Sequence, residues 1–223
     1  MIEKLFNPRK TIFLGLDELG RIQGRGRFYA EIEETEYSAI KSCVISGFKK
    51  KNLVELVSMF PNLIEVSIEK TSKLLSLEGI DRLVDLQKIT IQDCPHLKDL
   101  SSLKTCRNLA EVQLSMFKTP TEVLGFLNTK VVSNLAVNGN ITDMSLIGHF
   151  KNLDYLNLNG YGCDTEVLPS LPKVRKNFNL EGFPKLKDAS FMEEFDASIR
   201  ISWWGPKPIE GIPEKLLAHK TFQ

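Results

Sequence analysis

The chain repeats itself every 21 to 23 residues, and that period constrains its fold more than any other feature. Apolar triplets mark the repeat. Leu86, Ile89 and Ile91 stand at spacings of three and two, and Leu109, Val112 and Leu114 reproduce them. With the second residue of each triplet as marker, the series runs Cys43, Val66, Ile89, Val112, Leu135, Leu156, Phe178 and Ile199. Two residues beyond each marker lies another apolar side chain: Ile45, Ile68, Ile91, Leu114, Val137, Leu158, Leu180 and Ile201. Residues two apart point to the same side of a strand, so each pair predicts a short strand with one buried face. The intervals are too long for hairpins. They predict strands that return in parallel as stacked coils sharing one core, since no coil buries its face alone.

Between the strands runs a second set of apolar columns at helical spacing. Val57, Phe60 and Leu63 are matched by Ile80, Leu83 and Leu86, by Leu103, Cys106 and Leu109, and by Ile147, Phe150 and Leu153. These predict helical or irregular returns on the side opposite the exposed strand face.

The segments "LIEVSI", "LQKITI", "LAEVQL", "VSNLAV" and "LDYLNL", with the returns "LLSLEGIDRLVDL" and "NITDMSLIGHFKNL", resemble the leucine-rich repeat family in its short class. The two returns look most like those of internalins and phosphatase-regulator repeat proteins. The resemblance covers residues 40 to 204. It implies an α/β solenoid: a horseshoe with a concave parallel sheet of about eight strands and capped ends. One column departs from the family, which has Asn or Cys five residues after the marker. Here that column reads Phe48, Thr71, Cys94, Phe117, Asn140, Tyr161, Phe183 and Trp204, which suggests a phenylalanine-rich spine with Trp204 in the core.

Three regions follow. Residues 1–38 break the repeat register; alternating apolar residues around Asp17 to Gly20 predict an N-terminal β-hairpin cap. Residues 39–204 form the repeat array. In residues 205–223, Pro206, Pro208 and Pro213 cannot extend a sheet, and a short helix near Glu214 to Ala218 is expected to close the last coil.

Charge supplies no general drive toward nucleic acid or anionic lipid, because 29 basic side chains balance 28 acidic ones. The basic spots Lys49 to Lys51 and Arg25 to Arg27 read as solvated turns. No apolar run approaches the roughly 20 residues that span a bilayer, and "MIEKLFNPRK" lacks a secretory core. A cytoplasmic protein is expected, with the four cysteines as reduced thiols. Asn140-Ile141-Thr142 matches a glycosylation triplet that matters only after export.

Catalysis leaves little trace. A phosphate loop, a nucleophile elbow and a His-Glu-x-x-His motif are all missing from the sequence. The "GRGR" at Gly24 lacks a following helix pattern. His96, His149 and His219 are scattered, so no catalytic, cofactor or metal residues are assigned. Cys43, Cys94 and Cys106 occupy core columns as small hydrophobes, whereas Cys163 falls in a turn where exposure is expected.

What the repeat creates is a surface. Strand residues flanking the buried pair point outward. One column reads Ser42, Glu65, Lys88, Glu111, Asn134, Tyr155, Asn177 and Ser198. The next reads Val44, Ser67, Thr90, Gln113, Ala136, Asn157, Asn179 and Arg200, and a third runs from Ser46 through Glu69 to Ser202. Strands about 4.8 Å apart give a face on the order of 34 Å long, enough for a standard interface of roughly 800 Å² per partner. Its expected contacts are Glu65, Glu69, Lys88, Glu111, Gln113, Tyr155, Asn157, Asn179 and Arg200, with Trp203 at the edge. Tyr, Arg and Trp are the types that most often anchor interfaces. The expectation is a non-enzymatic module, a monomer when free, that binds another protein and neither nucleic acid nor membrane. An inhibitor or toxin-neutralising immunity protein is the preferred role. A regulatory or adaptor subunit of an enzyme such as a phosphatase is the alternative.

Overall fold

The computed structural model describes residues 13–15, 34–117, 123–139, 145–160, 163 and 165–222. The chain divides into two compact units, Met1–Ala110 and Glu111–Gln223. In the first, β1 (Phe13–Gly15) pairs antiparallel with β2 (Ser42–Ser46), which pairs in parallel with β3 (Glu65–Glu69), followed by β4 (Lys88–Gln92). The registers join Cys43 to Val66 to Ile89 and Ile45 to Ile68 to Ile91, the columns the repeat predicts. β1 covers the edge of β2, as an exposed strand edge requires. The rest of the predicted hairpin, Asp17 to Gly20 included, lies outside the described residues.

The second unit holds β5 (Glu111–Phe117), β6 (Asn134–Gly139), β7 (Tyr155–Asn159), β8 (Asn177–Glu181) and β9 (Arg200–Trp204), each parallel to the next. Val112, Leu135, Leu156 and Phe178 lie in register, as predicted. The last strand corrects the prediction: Phe178 pairs with Ile201, and Leu180 with Trp203. The marker of that coil is therefore Ile201 rather than Ile199. Ile199, Ile201 and Trp203 alternate without a break, so two registers fit the pattern equally. Ile199 is buried just ahead of the strand, one position nearer its marker than Leu63, Leu86, Leu109 and Leu153 are to theirs.

The return segments refine a second expectation. A short α-helix, α1 (Val54–Met59), is accompanied by 3-10 turns at Ile80–Arg82, Ser101–Thr105, Ser145–His149 and Ser190–Met192. A strict spacing of three is the period of the 3-10 helix, whose side chains at i and i+3 eclipse. Phe60, Ile80, Leu83, Leu103, Ile147 and Phe150 are accordingly almost wholly buried against the strand columns, and each unit's core lies between strands and returns.

The coil corners use varied chemistry. Phe48 and Phe183 are buried as the spine predicts. Thr71 Oγ1 and Cys94 Sγ meet at 3.1 Å inside the next pair of corners, while Cys94 also reaches the Gln92 carbonyl at 3.3 Å. Gly160 lies against Phe183 so closely that a Cβ there would fall 2.5 Å from the ring. Beyond β9, 3-10 turns at Glu214–Leu216 and Lys220–Phe222 close the end. Leu216 is fully buried, and Thr221 Oγ1 donates to the Ile201 carbonyl at 2.8 Å.

Candidate recognition face

Strand alternation creates the candidate site. In β2 to β4 and in β6 to β9 the two inward side chains are buried, while their neighbours stay at least partly accessible. In the first unit Glu65 stands directly opposite Lys88, and Glu69 opposite Gln92. Opposite charges facing across adjacent strands stabilise the pair by a few tenths of a kcal/mol to about 1 kcal/mol. Ser67 Oγ donates to Glu69 Oε1 at 3.3 Å. The three predicted contacts of this unit thus share one strand face.

The second unit carries a concavity of about 440 Å³ on its own face. Its polar lining includes Glu111, Gln113, Asn134, Tyr155, Asn157, Asn177, Asn179 and Ser202, with Ala136 among them. Asn179 Nδ2 donates to Asn157 Oδ1 at 3.0 Å, so the middle column is tied into a ladder. In the third column Asn159 Nδ2 donates to Glu181 Oε2 at 3.1 Å. Asn159 Oδ1 and Asn177 Oδ1 are shielded from solvent and, among the described residues, accept no hydrogen bond.

Tyr155 rises from the first column with 43% of its surface exposed. The Lys176 ammonium lies 5.9 Å from its ring centroid. Lys176 is held there by Asp154 at 2.6 Å, and Asp154 also takes Arg175 at 2.7 Å. The Lys176 hydrogen bond keeps the Asp154 carboxyl below the usual aspartate range, and the same bond raises the Lys176 ammonium. A cation over an exposed aromatic ring contributes about 0.5–1 kcal/mol, which favours one ring position before any partner arrives.

Five predicted contacts, Glu111, Gln113, Tyr155, Asn157 and Asn179, therefore meet in one groove. Arg200 borders it, but from the first column, opposite Asn177, rather than from the middle column. Trp203 is not on this face. It is 8% exposed, stacks on Phe191 at 6.5 Å, meets Phe222 at 5.5 Å and donates through Nε1 to the Pro206 carbonyl at 3.3 Å. Trp204, expected in the core, is instead 72% exposed and stands opposite Glu181. Both errors have one cause, the two-residue slip in the last register. Asn134, Asn177 and Ser202 add to the polar lining; their column positions are the sequence signal for them, and their small side chains make it a weak one.

The cysteines are buried without exception, Cys163 included, which corrects its expected exposure; its sulfur lies 2.9 Å from Thr165 Oγ1. Burial pushes the Cys43 thiol up to about 12 and the Cys106 thiol up to about 11. Among the described residues no group of three His, Cys, Asp or Glu side chains could hold a metal ion. Among them, too, no helix is long and apolar enough to cross a membrane.

Within each unit, parallel one-sided strands in register, joined by short helical or irregular returns, make the repeat architecture that the leucine-rich repeat resemblance implies. No protein-family model matches the chain, and no curated protein matches it. Among solved structures it is similar to an internalin C2 from Listeria monocytogenes, with 18% identity over 77% of each chain and a TM-score of 0.46.

Proposed function

We propose that this chain is a non-enzymatic recognition module that binds another protein on its exposed strand face. The observation that carries the reading is the groove of the second unit, where amide side chains surround Tyr155. Small-molecule and cofactor pockets are mostly apolar with a few placed polar groups. In this groove amide side chains, Glu111 and Ser202 line the walls beside Tyr155 over an apolar floor, a denser set of polar groups than such pockets carry. Amides, which both donate and accept, suit the mixed hydrogen-bonding surface of a polypeptide, and a preset tyrosine supplies contact area at low entropic cost.

Occlusion is one use of such a face, because an inhibitor or toxin-neutralising immunity protein acts without chemistry of its own. An adaptor or regulatory subunit, of a phosphatase for example, would use the same face and leave its partner active. The partner's activity in the purified complex separates the two roles.

The test begins with capture of partners from the native host and their identification by mass spectrometry. The captured partner is then titrated calorimetrically against Tyr155→Ala and against a Glu65/Glu111 charge reversal. Loss of a true anchor costs 2 kcal/mol or more, roughly thirtyfold in affinity. Unchanged affinity in both variants, each shown to be folded, would reject the face.

A further inference from the structure

We propose that the β9 side of the recognition face takes an extended segment of the partner that carries one carboxylate and one large apolar side chain. A carboxylate of the segment pairs with Arg200, and a large apolar side chain four residues away packs on Trp204. The proposal rests on the recognition reading above and names the chemistry of its partner.

Trp203 dictates the geometry. Its indole is locked into the core by Phe191, Phe222 and the Pro206 carbonyl. Gly205 lets it pass, because a Cβ there would come within 2.8 Å of the indole ring. Alternation along a strand then forces Trp204 to the opposite side, into solvent. Among the described residues Trp204 makes no hydrogen bond or ring contact, so its 72% exposure serves nothing within its own fold. The residues behind it in that column, Asn159 and Glu181, are polar. A tryptophan at the end of such a row is the type most enriched among interface anchors.

Arg200 supplies the second half. It is exposed and forms no ion pair among the described residues, whereas Arg175 and Lys176 nearby both hold Asp154. A guanidinium in this setting matches a carboxylate through two parallel hydrogen bonds. Beside it stands Asn177, whose shielded Oδ1 has no donor among the described residues. A backbone N–H of the bound segment would satisfy that oxygen once the amide turns outward.

Spacing and sign fix the segment. Arg200 and Trp204 lie four residues apart on one side of a strand, about 13 Å, and an extended chain repeats that distance between its own residues i and i+4. Glu181 stands opposite Trp204 and disfavours a carboxylate there, so the acidic residue belongs at the Arg200 end alone.

The experiment selects displayed random peptides on the full chain and measures the enriched ones by fluorescence anisotropy. Enriched peptides should place Asp or Glu four residues from an aromatic or large aliphatic residue. Their affinity should fall at least about tenfold on Arg200→Glu and on Trp204→Ala, and less than about threefold on Trp204→Phe. Near-UV circular dichroism checks that each variant keeps its fold. Failure to enrich any peptide, enrichment without that spacing, or equal binding to the variants would overturn the proposal. If the captured protein partner is lost on Tyr155→Ala but kept on Arg200→Glu and Trp204→Ala, the recognition reading stands and this segment does not. Indifference to all three variants rejects both.

Discussion

The two adjacent tryptophans allow the register of the last coil to be tested in solution. Trp203→Ala removes an indole that is 8% exposed, together with two aromatic contacts and one hydrogen bond. Deleting a buried Phe or Trp side chain costs about 3–5 kcal/mol, and each aromatic pair contributes about 0.5–1.5 kcal/mol within such totals. The site lies beside the terminal turns, which can partly collapse into the space, so about 3–4 kcal/mol is expected. Trp204→Ala removes a side chain that is 72% exposed and should change stability by no more than about 0.5 kcal/mol. Urea unfolding followed by far-UV circular dichroism measures both. The chain has only two tryptophans, so each variant also leaves a single fluorophore. Trp204 alone should emit as a solvated indole, and Trp203 alone as a buried one. A Trp204 variant that loses more stability than the Trp203 variant, with the emission maxima exchanged, would refute the register and restore the slipped one.

Ile91→Ala should cost about 2–5 kcal/mol, because Ile91 is fully buried in the strand columns, while His149→Ala on an exposed turn should cost little; matching urea midpoints would refute the assigned buried face. Gly160→Ala should destabilise by about 1–3 kcal/mol through the clash of its Cβ with the Phe183 ring, and a wild-type melting temperature would contradict that contact. The Ser198 backbone N–H and hydroxyl, with Lys173, hold the Asp196 carboxyl at about 2, below its ordinary 3.8. The resulting stabilisation is present above the unfolded value and is lost as pH falls from about 4 to about 2, so Asp196→Asn should flatten the acid limb of a plot of melting temperature against pH. Cys43 and Cys106, pushed up to about 12 and about 11 by burial, should resist iodoacetamide at pH 8 until urea exposes them, and rapid labelling of the native chain would show them accessible.

The strands were legible because one-sided burial forces a period of two, and stacking forces equal intervals between coils. Val66, Ile89, Leu135, Leu156 and Phe178 could hardly sit elsewhere. Legibility ended where apolar residues were too many. Around Ile199, Ile201 and Trp203 the pattern admits two registers, and only packing against Phe191 and Phe222 selects between them. The groove was visible as outward columns, but its internal bonds were not. Asn179 bonding Asn157, and Lys176 set between Asp154 and the Tyr155 ring, depend on side-chain torsions that spacing does not encode. Cys163 failed for a related reason: a turn position says nothing about which way the sulfur points.

The corner column, short of the family's Asn, raises the question of what joins one coil to the next. Four residues before the marker, at the other end of the strand, Asn62 donates to the Ser38 carbonyl at 2.8 Å and Asn108 to the Val84 carbonyl at 2.9 Å. In the second unit Asn152 donates to the Lys130 carbonyl at 2.9 Å, and Arg175 then reaches the Asn152 carbonyl at 3.0 Å. Each bond satisfies a turn carbonyl of the preceding coil, which is the task the family's corner asparagine performs for its own turn. With that task moved, the opposite corner can be filled by Phe48, Phe183 and the Thr71–Cys94 pair, which exclude water instead of bonding it. The amides of the exposed face are then released from stitching coils together. Apart from the Asn157–Asn179 rung, these amides bond no turn carbonyl among the described residues, so Asn134 and Asn177 can be substituted and the face can change its binding preference while the stacked core stays fixed.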